Sequence, residues 1–150
     1  YDSSFWGPTV LWGDGSGKFY SKDSTILFDY REIDYSQNKI ISLSHDYAVQ
    51  DVDKDGFNDV VIFSECKGGG WLYSIVKGQQ NRSFVDKTRE WLPNPLKTET
   101  SNHVWVLMKD VDNNGKIDIV ESETHITSSI VDRRKSIRWE WNGNKFDMLN

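Results

Sequence analysis

Hydrophobic and polar residues alternate in short runs along this chain, a pattern typical of β-strands. Runs rich in β-branched and aromatic residues are bounded by clusters of Gly, Asn, Asp and Ser, which favour turns. In the run 137–141, apolar residues alternate strictly with charged ones, which predicts one buried face and one solvent-facing side. The predicted strands are 25–30, 39–43, 59–63, 71–76, 103–108, 118–120 and 137–141.

The helical signal is weak by comparison. The best candidate is the segment 86–92, which Pro93 and Pro95 prevent from continuing, so it can form one or two turns at most. The sequence therefore predicts an all-β fold, and we treat residues 1–150 as a single β domain.

An internal repeat organises this domain. The segment DVDKDGFNDVV at 51–61 recurs as DVDNNGKIDIV at 110–120, a shift of 59 residues. A Gly- or Asn-rich turn followed by phenylalanine also recurs, at Phe19, Phe84 and Phe146. The repeating unit is therefore about 60 residues long. We divide the chain into a partial repeat, 1–19, and two full repeats, 20–85 and 86–150.

Each repeat carries a loop in which acidic side chains alternate, and these would repel one another unless a cation lay among them. Calcium takes six to eight oxygen ligands, which a tight acidic loop with one backbone carbonyl can supply. We predict two calcium sites. The first uses the side chains of Asp51, Asp53, Asp55 and Asp59 and the carbonyl of Phe57; the second uses those of Asp110, Asp112, Asn114 and Asp118 and the carbonyl of Lys116.

The two predicted sites differ in charge, because Asn114 is a neutral amide where the first loop has Asp55. We therefore expect the second site to be the weaker one. Magnesium fits less well, since it prefers few protein ligands and keeps its water.

An EF-hand is an alternative for the second loop, where Glu121 stands at the twelfth position. The first loop has Ile62 at that position, and both loops run into β-type sequence where an EF-hand has a helix. A third interpretation is that these loops are solvated turns that bind nothing. The recurrence of the full pattern favours metal binding over both.

The acidic loop, the strand after it and the Gly-x-Gly-x-Phe turn resemble the FG-GAP/VCBS repeats of integrin-like β-propellers. This resemblance covers about 5–19, 47–84 and 104–146. It implies propeller-like blades of four strands, with calcium bound in the loop between the first two strands of each blade. The Gly13–Phe19 turn matches the family's turn, although no acidic loop precedes it.

Two units and a tail cannot close a propeller ring, which usually has four to eight blades. The unpaired strand edges could be covered in a homo-oligomer. Alternatively, the chain is a fragment of a longer propeller, or the repeats form an atypical compact fold in which the segment 5–19 pairs with the strand 137–141.

Charge and composition limit the class of partner. The chain has 18 Lys and Arg against 23 Asp and Glu, a net charge of -5, so neither nucleic acid nor an anionic membrane is expected as a ligand. No apolar run approaches the roughly 20 residues of a transmembrane helix. The single cysteine, Cys66, precludes an internal disulfide bond.

Seven tryptophans are an unusually large share for a chain of 150 residues. Rigid aromatic rings are common both in cores and in recognition surfaces. We expect Trp12, Trp71 and Trp91, which lie near loops, to bind a ligand, and Trp139 and Trp141 to lie on a buried strand face.

No catalytic arrangement is evident. His45, His103 and His125 share no zinc-like spacing, and no nucleophile motif surrounds them. We therefore predict a non-catalytic calcium-binding module that acts outside the cytoplasm, where calcium is plentiful, and binds a protein or glycan. Two alternatives are a periplasmic or secreted inhibitor, such as an immunity protein that blocks a toxin, and a carbohydrate-binding accessory piece of a hydrolase.

Overall fold

The computed structural model describes residues 7–27, 41–66, 70–97, 105–122 and 137–149, which form eleven strands, one short α-helix and a 3-10 helix at Gln80–Arg82. The strands are β1 Thr9–Gly13, β2 Phe19–Ile26, β3 Ile41–Gln50, β4 Asp59–Cys66, β5 Trp71–Gln79, β6 Ser83–Asp86, β7 Leu96–Lys97, β8 Trp105–Lys109, β9 Asp118–Ser122, β10 Ile137–Trp141 and β11 Phe146–Met148. The helix α1 spans Thr88–Trp91 and is a single turn.

Two antiparallel sheets follow the repeat. The first has the strand order β3-β4-β5-β6, and the short strand β7 pairs with the beginning of β5. The second has the order β8-β9-β10-β11. Each sheet is thus a meander of four consecutive strands, as in a propeller blade, and each acidic loop joins the first strand of a meander to the second.

Strands β1 and β2 form a separate hairpin, in which Gly13 pairs with Phe19. A turn at the corresponding place closes the last hairpin of each sheet, where Gly78 pairs with Phe84 and Trp141 pairs with Phe146. The hairpin β1–β2 therefore corresponds to the last two strands of a meander. It packs on the first sheet through Val10 and Leu27.

The main core lies between the two four-stranded sheets. Phe63 and Tyr73 from the first sheet meet Ile119 and Trp139 from the second, and all four are fully buried. Because the hairpin β1–β2 covers the opposite face of the first sheet, strand β4 is buried on both faces. This explains why its sequence is continuously apolar at 60–63 instead of alternating.

Polar contacts also link the two sheets. The backbone N–H of Val106 on β8 donates to Asp46 Oδ2 on β3 at 2.7 Å. The hydroxyl of Tyr73 donates to Glu121 on β9, and burial together with that carboxylate raises the pKa of Tyr73. The Arg138 guanidinium lies over the rings of Tyr73 and Trp139. The two sheets consequently pack as one body.

The all-β prediction is confirmed, and so is the short helix before Pro93. Two features differ from the expectation. Strands β1, β6, β7 and β11 were not predicted, and β2 begins at Phe19, before the predicted run 25–30. Residues 28–30, 39–40 and 103–104 of the predicted strands lie outside the described residues. The alternative in which 5–19 pairs with 137–141 is wrong, because β10 already has β9 and β11 as neighbours and β1 pairs with β2. Residues 5 and 6 of that segment lie outside the described residues.

Candidate metal centre

The two acidic loops have the same backbone conformation. Lys54 and Asn113 adopt left-handed φ values of 61° and 60°, and Gly56 and Gly115 follow with 93° and 87°. Asparagine and glycine tolerate this region better than other residues, which suits Asn113 and Gly115 in the second loop. The two consecutive sharp bends fold each loop back toward its own first aspartate.

The first aspartate of each loop accepts the same pair of backbone hydrogen bonds. Asp51 accepts from the N–H groups of Asp55 and Gly56 at 3.1 and 3.0 Å. Asp110 accepts from those of Asn114 and Gly115 at 3.1 and 2.8 Å. The carboxylates are therefore fixed by the loop backbone and point to its interior.

The last aspartate of each loop is buried at the start of the second strand. Asp59 Oδ2 accepts the N–H of Val52, and Asp118 Oδ2 accepts that of Val111, each at 2.9 Å. Three carboxylates converge in each loop, with ligand atoms within 4.8 Å of one another: Asp51, Asp53 and Asp59 in the first, and Asp110, Asp112 and Asp118 in the second. Clusters of this kind can hold a metal ion.

Burial makes the ionised form of these inner aspartates costly. Desolvation, assisted by the charges of Asp53 and Asp55, raises the pKa of Asp59 from 3.8 to about 6. Desolvation likewise raises the pKa of Asp118. Since the folded pKa of Asp59 lies above its ordinary value, its contribution to stability is lost as the pH rises from about 4 through about 6. A bound divalent cation would offset that cost.

In the second loop, a buried oxygen without a partner is a further sign that the residues fit a cation. Asp118 is completely buried, and its Oδ1 has no hydrogen-bond partner. A buried carboxylate oxygen without a partner is costly and calls for an explanation. It belongs to the carboxylate that converges with Asp110 and Asp112, so a cation held among them would satisfy it.

In the first loop the corresponding oxygen is already satisfied. Asp59 Oδ1 accepts the backbone N–H of Gly78 on β5 at 3.0 Å. A side chain at Gly78 would force β5 and the loop apart, because an added Cβ would lie 2.1 Å from the carbonyl oxygen of Asn58. The close approach of β5 to the loop thus requires glycine.

A lysine also reaches the first loop from β5. The ammonium of Lys77 contacts Asp53 and lies 2.8 Å from Asp55 Oδ2. Hydrogen bonds to these carboxylates raise the pKa of Lys77, and the same contact lowers the pKa of Asp55. The ring of Trp91, whose centroid is 5.8 Å from the ammonium, lies beneath it.

At the position that corresponds to Lys77, the second sheet has an acidic residue, Glu140. Val60 pairs with Val76 in the first sheet, so Lys77 lies beside Asp59; in the second sheet, Asp118 pairs with Glu140. Glu140 accepts hydrogen bonds from the Asn114 amide and the Lys116 ammonium. Sequence reasoning missed Lys77 and Glu140 because only strand register aligns them, although each stands just before the recurring turn.

The remaining predicted ligands are placed as follows. Asp55 and Asn114 lie at the tip of each loop, where their side chains accept the N–H groups of Phe57 and Lys116 at 2.9 Å. The roles assigned to the carbonyl oxygens of Phe57 and Lys116 stay predictions. The Lys116 side chain points to Glu140.

The three tryptophans expected at a ligand surface differ in position. Trp91 is 4% exposed and packs edge-on against Trp141, so it is a core residue, and its expected exposure is wrong. The reason is that α1 is anchored over the end of the core by Thr88, which bonds to β5. Trp71 is half-buried and stacks on Phe63.

Trp12 lies in a groove of about 470 Å³ between the hairpin β1–β2 and the first acidic loop. The guanidinium of Arg82 lies 5.3 Å from its ring centroid, and its indole N–H donates to Thr25 at 2.9 Å. Phe57 and Phe84 also line this groove. Of the three tryptophans, Trp12 is the one that the structure places beside an open apolar surface. Trp139 and Trp141 are buried, as predicted.

Other residues considered for chemistry do not form a site in the described part of the chain. Cys66 is buried. His103, His125 and the basic segment 133–135 lie outside the described residues, and only the backbone of His45 is described. Among the described residues, no helix has the length and apolar character needed to cross a membrane.

Comparison with known families agrees with this geometry. Residues 51–121, which run from the first acidic loop to the strand after the second, match the model of the FG-GAP-like repeat. No curated protein and no solved structure gave a significant match. Both acidic loops, each between the first two strands of a four-stranded meander, thus lie within a segment, residues 51–121, that is similar to the FG-GAP-like repeat.

Proposed function

We propose that this chain is a non-catalytic, calcium-stabilised recognition module that acts outside the cytoplasm. The observation that supports it most directly is the pair of acidic loops with matching backbone conformation and matching hydrogen bonds. Three carboxylates converge in each loop, and the second includes a buried oxygen without a partner. Calcium is the cation whose ligand number and oxygen preference suit such a loop.

The proposed location follows from calcium supply. Loops on the surface of a small β domain bind with modest affinity unless many charges converge, and extracellular modules work at 10⁻⁴ to 10⁻³ M calcium. Resting cytosol does not supply such concentrations. The FG-GAP-like repeat supports the same location and a propeller-type recognition role.

The proposed binding surface is the groove that contains Trp12, Phe57, Arg82 and Phe84. It combines apolar rings with one guanidinium, the residue types enriched at binding hot spots. It also borders the first acidic loop, so filling that loop with calcium would fix the position of Phe57. The proposed ligand is a protein or a glycan, and a second copy of the chain is one protein that could occupy the surface.

The calcium part of the proposal is tested by thermal unfolding of the chelated protein with and without added calcium. Calcium at 100 times its dissociation constant should stabilise the native state by about 2.7 kcal/mol per site, and the melting temperature should rise. The double variant Asp53→Ala, Asp112→Ala should lose the shift, whereas Glu90→Ala, which removes an exposed carboxylate on α1, should keep it. A melting temperature insensitive to calcium in the wild-type protein would refute this part.

The recognition part is tested through Trp12. Titration with a panel of oligosaccharides should quench tryptophan fluorescence saturably if the ligand is a glycan. If the ligand is a protein, a single partner should instead be retained from the source extract with calcium and released by EDTA. In either case Trp12→Ala should weaken binding by more than about 1 kcal/mol while the melting temperature stays nearly unchanged. Equal binding by Trp12→Ala and wild type would show that the groove is not the surface.

A further inference from the structure

The two acidic loops share their left-handed positions and their backbone hydrogen bonds, yet the strand beside each loop carries opposite charge. Lys77 lies beside Asp59 in the first sheet, and Glu140 pairs with Asp118 in the second. Both residues immediately precede the strand position whose partner is the recurring phenylalanine. The two sites therefore differ in charge at an equivalent position that lies outside either loop.

In the first loop, the Lys77 ammonium pairs with carboxylate oxygens that would otherwise be available to a metal ion. It contacts Asp53 Oδ2 and lies 2.8 Å from Asp55 Oδ2, and both aspartates belong to the predicted ligand set. The lysine is held in this position, since its ammonium also lies over the ring of Trp91 and its side chain is 20% exposed. A divalent cation in this loop would have to displace a cation that the protein itself supplies.

The second loop has no such internal cation among the described contacts of its three converging carboxylates. Lys116, which belongs to this loop, pairs its ammonium with Glu140 and not with Asp110, Asp112 or Asp118. Asp118 Oδ1 is left without a partner in a fully buried residue, whereas its counterpart in the first loop accepts the N–H of Gly78. The second site is thus the one that retains an unsatisfied ligand atom.

Glu140 adds a further acidic group at the same place. Its side chain is 17% exposed, and its carboxylate accepts from the Asn114 amide. Its negative charge compensates for the neutral Asn114, which stands where the first loop has Asp55. The prediction that the second site is the weaker one was based on Asn114 alone and did not include Glu140.

We propose that Lys77 is a built-in counter-cation of the first acidic loop and that the second loop, supported by Glu140, is the tighter divalent-cation site. This inference rests on the proposed calcium binding for the order of the two affinities. The role of Lys77 stands apart from it, because a counter-cation stabilises the metal-free loop whether or not a metal ever binds. Position 77 would then set how much calcium the first loop needs.

The experiment measures calcium binding by titration calorimetry for the wild-type protein and a set of single variants. Asp112→Ala should remove the tighter site, and Asp53→Ala should leave that site in place. Lys77→Met, which keeps the length of the side chain over Trp91, should tighten the first site at least tenfold. Lys87→Met is the matched control, since it breaks a lysine–carboxylate pair with Glu90 that includes no residue of either loop.

Glu140→Gln tests the other half of the proposal. It should weaken the tighter site at least tenfold while the first site keeps its affinity. Lys116→Met should not weaken the tighter site, because the Lys116 ammonium contacts Glu140 and not the three converging carboxylates. Loss of the tighter site in Asp53→Ala, or no gain of affinity in Lys77→Met, would overturn the proposal.

A measurement without metal separates this inference from the calcium proposal. In EDTA, Lys77→Met should lower the melting temperature more than Lys87→Met does, because the carboxylates of the first loop then face one another without a cation. If calcium fails to bind the wild-type protein but this loss is seen, the calcium proposal fails and the counter-cation role of Lys77 is supported. If Lys77→Met melts like Lys87→Met in EDTA, the counter-cation role is overturned even where calcium binds.

Discussion

Two aspartates at equivalent positions, Asp59 and Asp118, carry unequal structural roles. Asp59 accepts backbone N–H groups on both carboxylate oxygens, from Val52 and Gly78. Asp118 accepts one, from Val111, and its other oxygen is unpaired. The same residue type in the same loop therefore completes the local structure in one repeat and leaves a vacant acceptor in the other.

This difference predicts unequal effects of replacing each aspartate by asparagine. In EDTA at pH 7.5, the free energy of unfolding of Asp59→Asn should lie about 1–3 kcal/mol below that of Asp118→Asn, because its amide turns an N–H donor toward another N–H donor in a buried site. Asp118→Asn should cost less or stabilise, because its amide can replace the unpaired oxygen. Urea unfolding of the two variants measures this, and equal losses would contradict the assignment of the two oxygens.

Calcium should narrow the difference between the two variants, because the second site is proposed to be the tighter one. At saturating calcium the wild-type protein gains stability through the carboxylate of Asp118, and Asp118→Asn should lose most of that gain.

At the scale of elements, strand β5 is what makes the first loop different. It carries Lys77, whose ammonium pairs with the loop, and Gly78, whose N–H bonds to Asp59 and whose lack of a side chain allows the contact. The corresponding strand β10 carries Glu140 and the buried Trp141. Neighbouring strands, more than the loops themselves, differentiate the two repeats.

Replacing Gly78 tests this close approach. In Gly78→Ala the added methyl group would overlap the Asn58 carbonyl, so β5 and the loop must separate, at a cost of about 1–3 kcal/mol. Gly13→Ala is the matched control, because its added methyl would meet the tip of the Phe19 ring at 3.3 Å and that ring is free to shift. The urea midpoints of the two variants measure the difference. Similar midpoints would show that β5 does not need glycine at this position.

At the scale of the whole molecule, the core between the two sheets is aromatic. Trp139 is fully buried, packs edge-on against Tyr73 across the sheets and donates its indole N–H to the Pro93 carbonyl at 3.1 Å. It therefore connects the second sheet both to the first and to the segment after α1. Two meanders that share such a core should unfold together.

Trp139→Ala should consequently destabilise the protein by about 3–5 kcal/mol, since it removes a large buried side chain and leaves a cavity. Phe19→Ala serves as the control, because that ring is 62% exposed and should cost little. Far-UV circular dichroism in urea follows both. Separate transitions for the two sheets in the wild-type protein would contradict a shared core.

Part of this description follows from sequence alone because it depends on local chemistry. The acidic loops need aspartates, a left-handed residue and glycine at fixed spacing, so the sequence alone identifies the two loops at 51–61 and 110–120. Strand alternation at 137–141 likewise predicts that Trp139 and Trp141 face inward, because successive side chains of a strand alternate between its faces.

The rest was decided by contacts between residues far apart in the chain. Trp91 stands beside a proline-rich turn, and nothing local shows that the second sheet will cover it with Trp141. Strand pairing brings Lys77 and Glu140 to the acidic loops, so the residues of the loops alone did not show all the charges at the two sites. Local spacing thus determines where a cation can bind, whereas strand register determines which other charges share the site, because only the folded sheet brings them within reach.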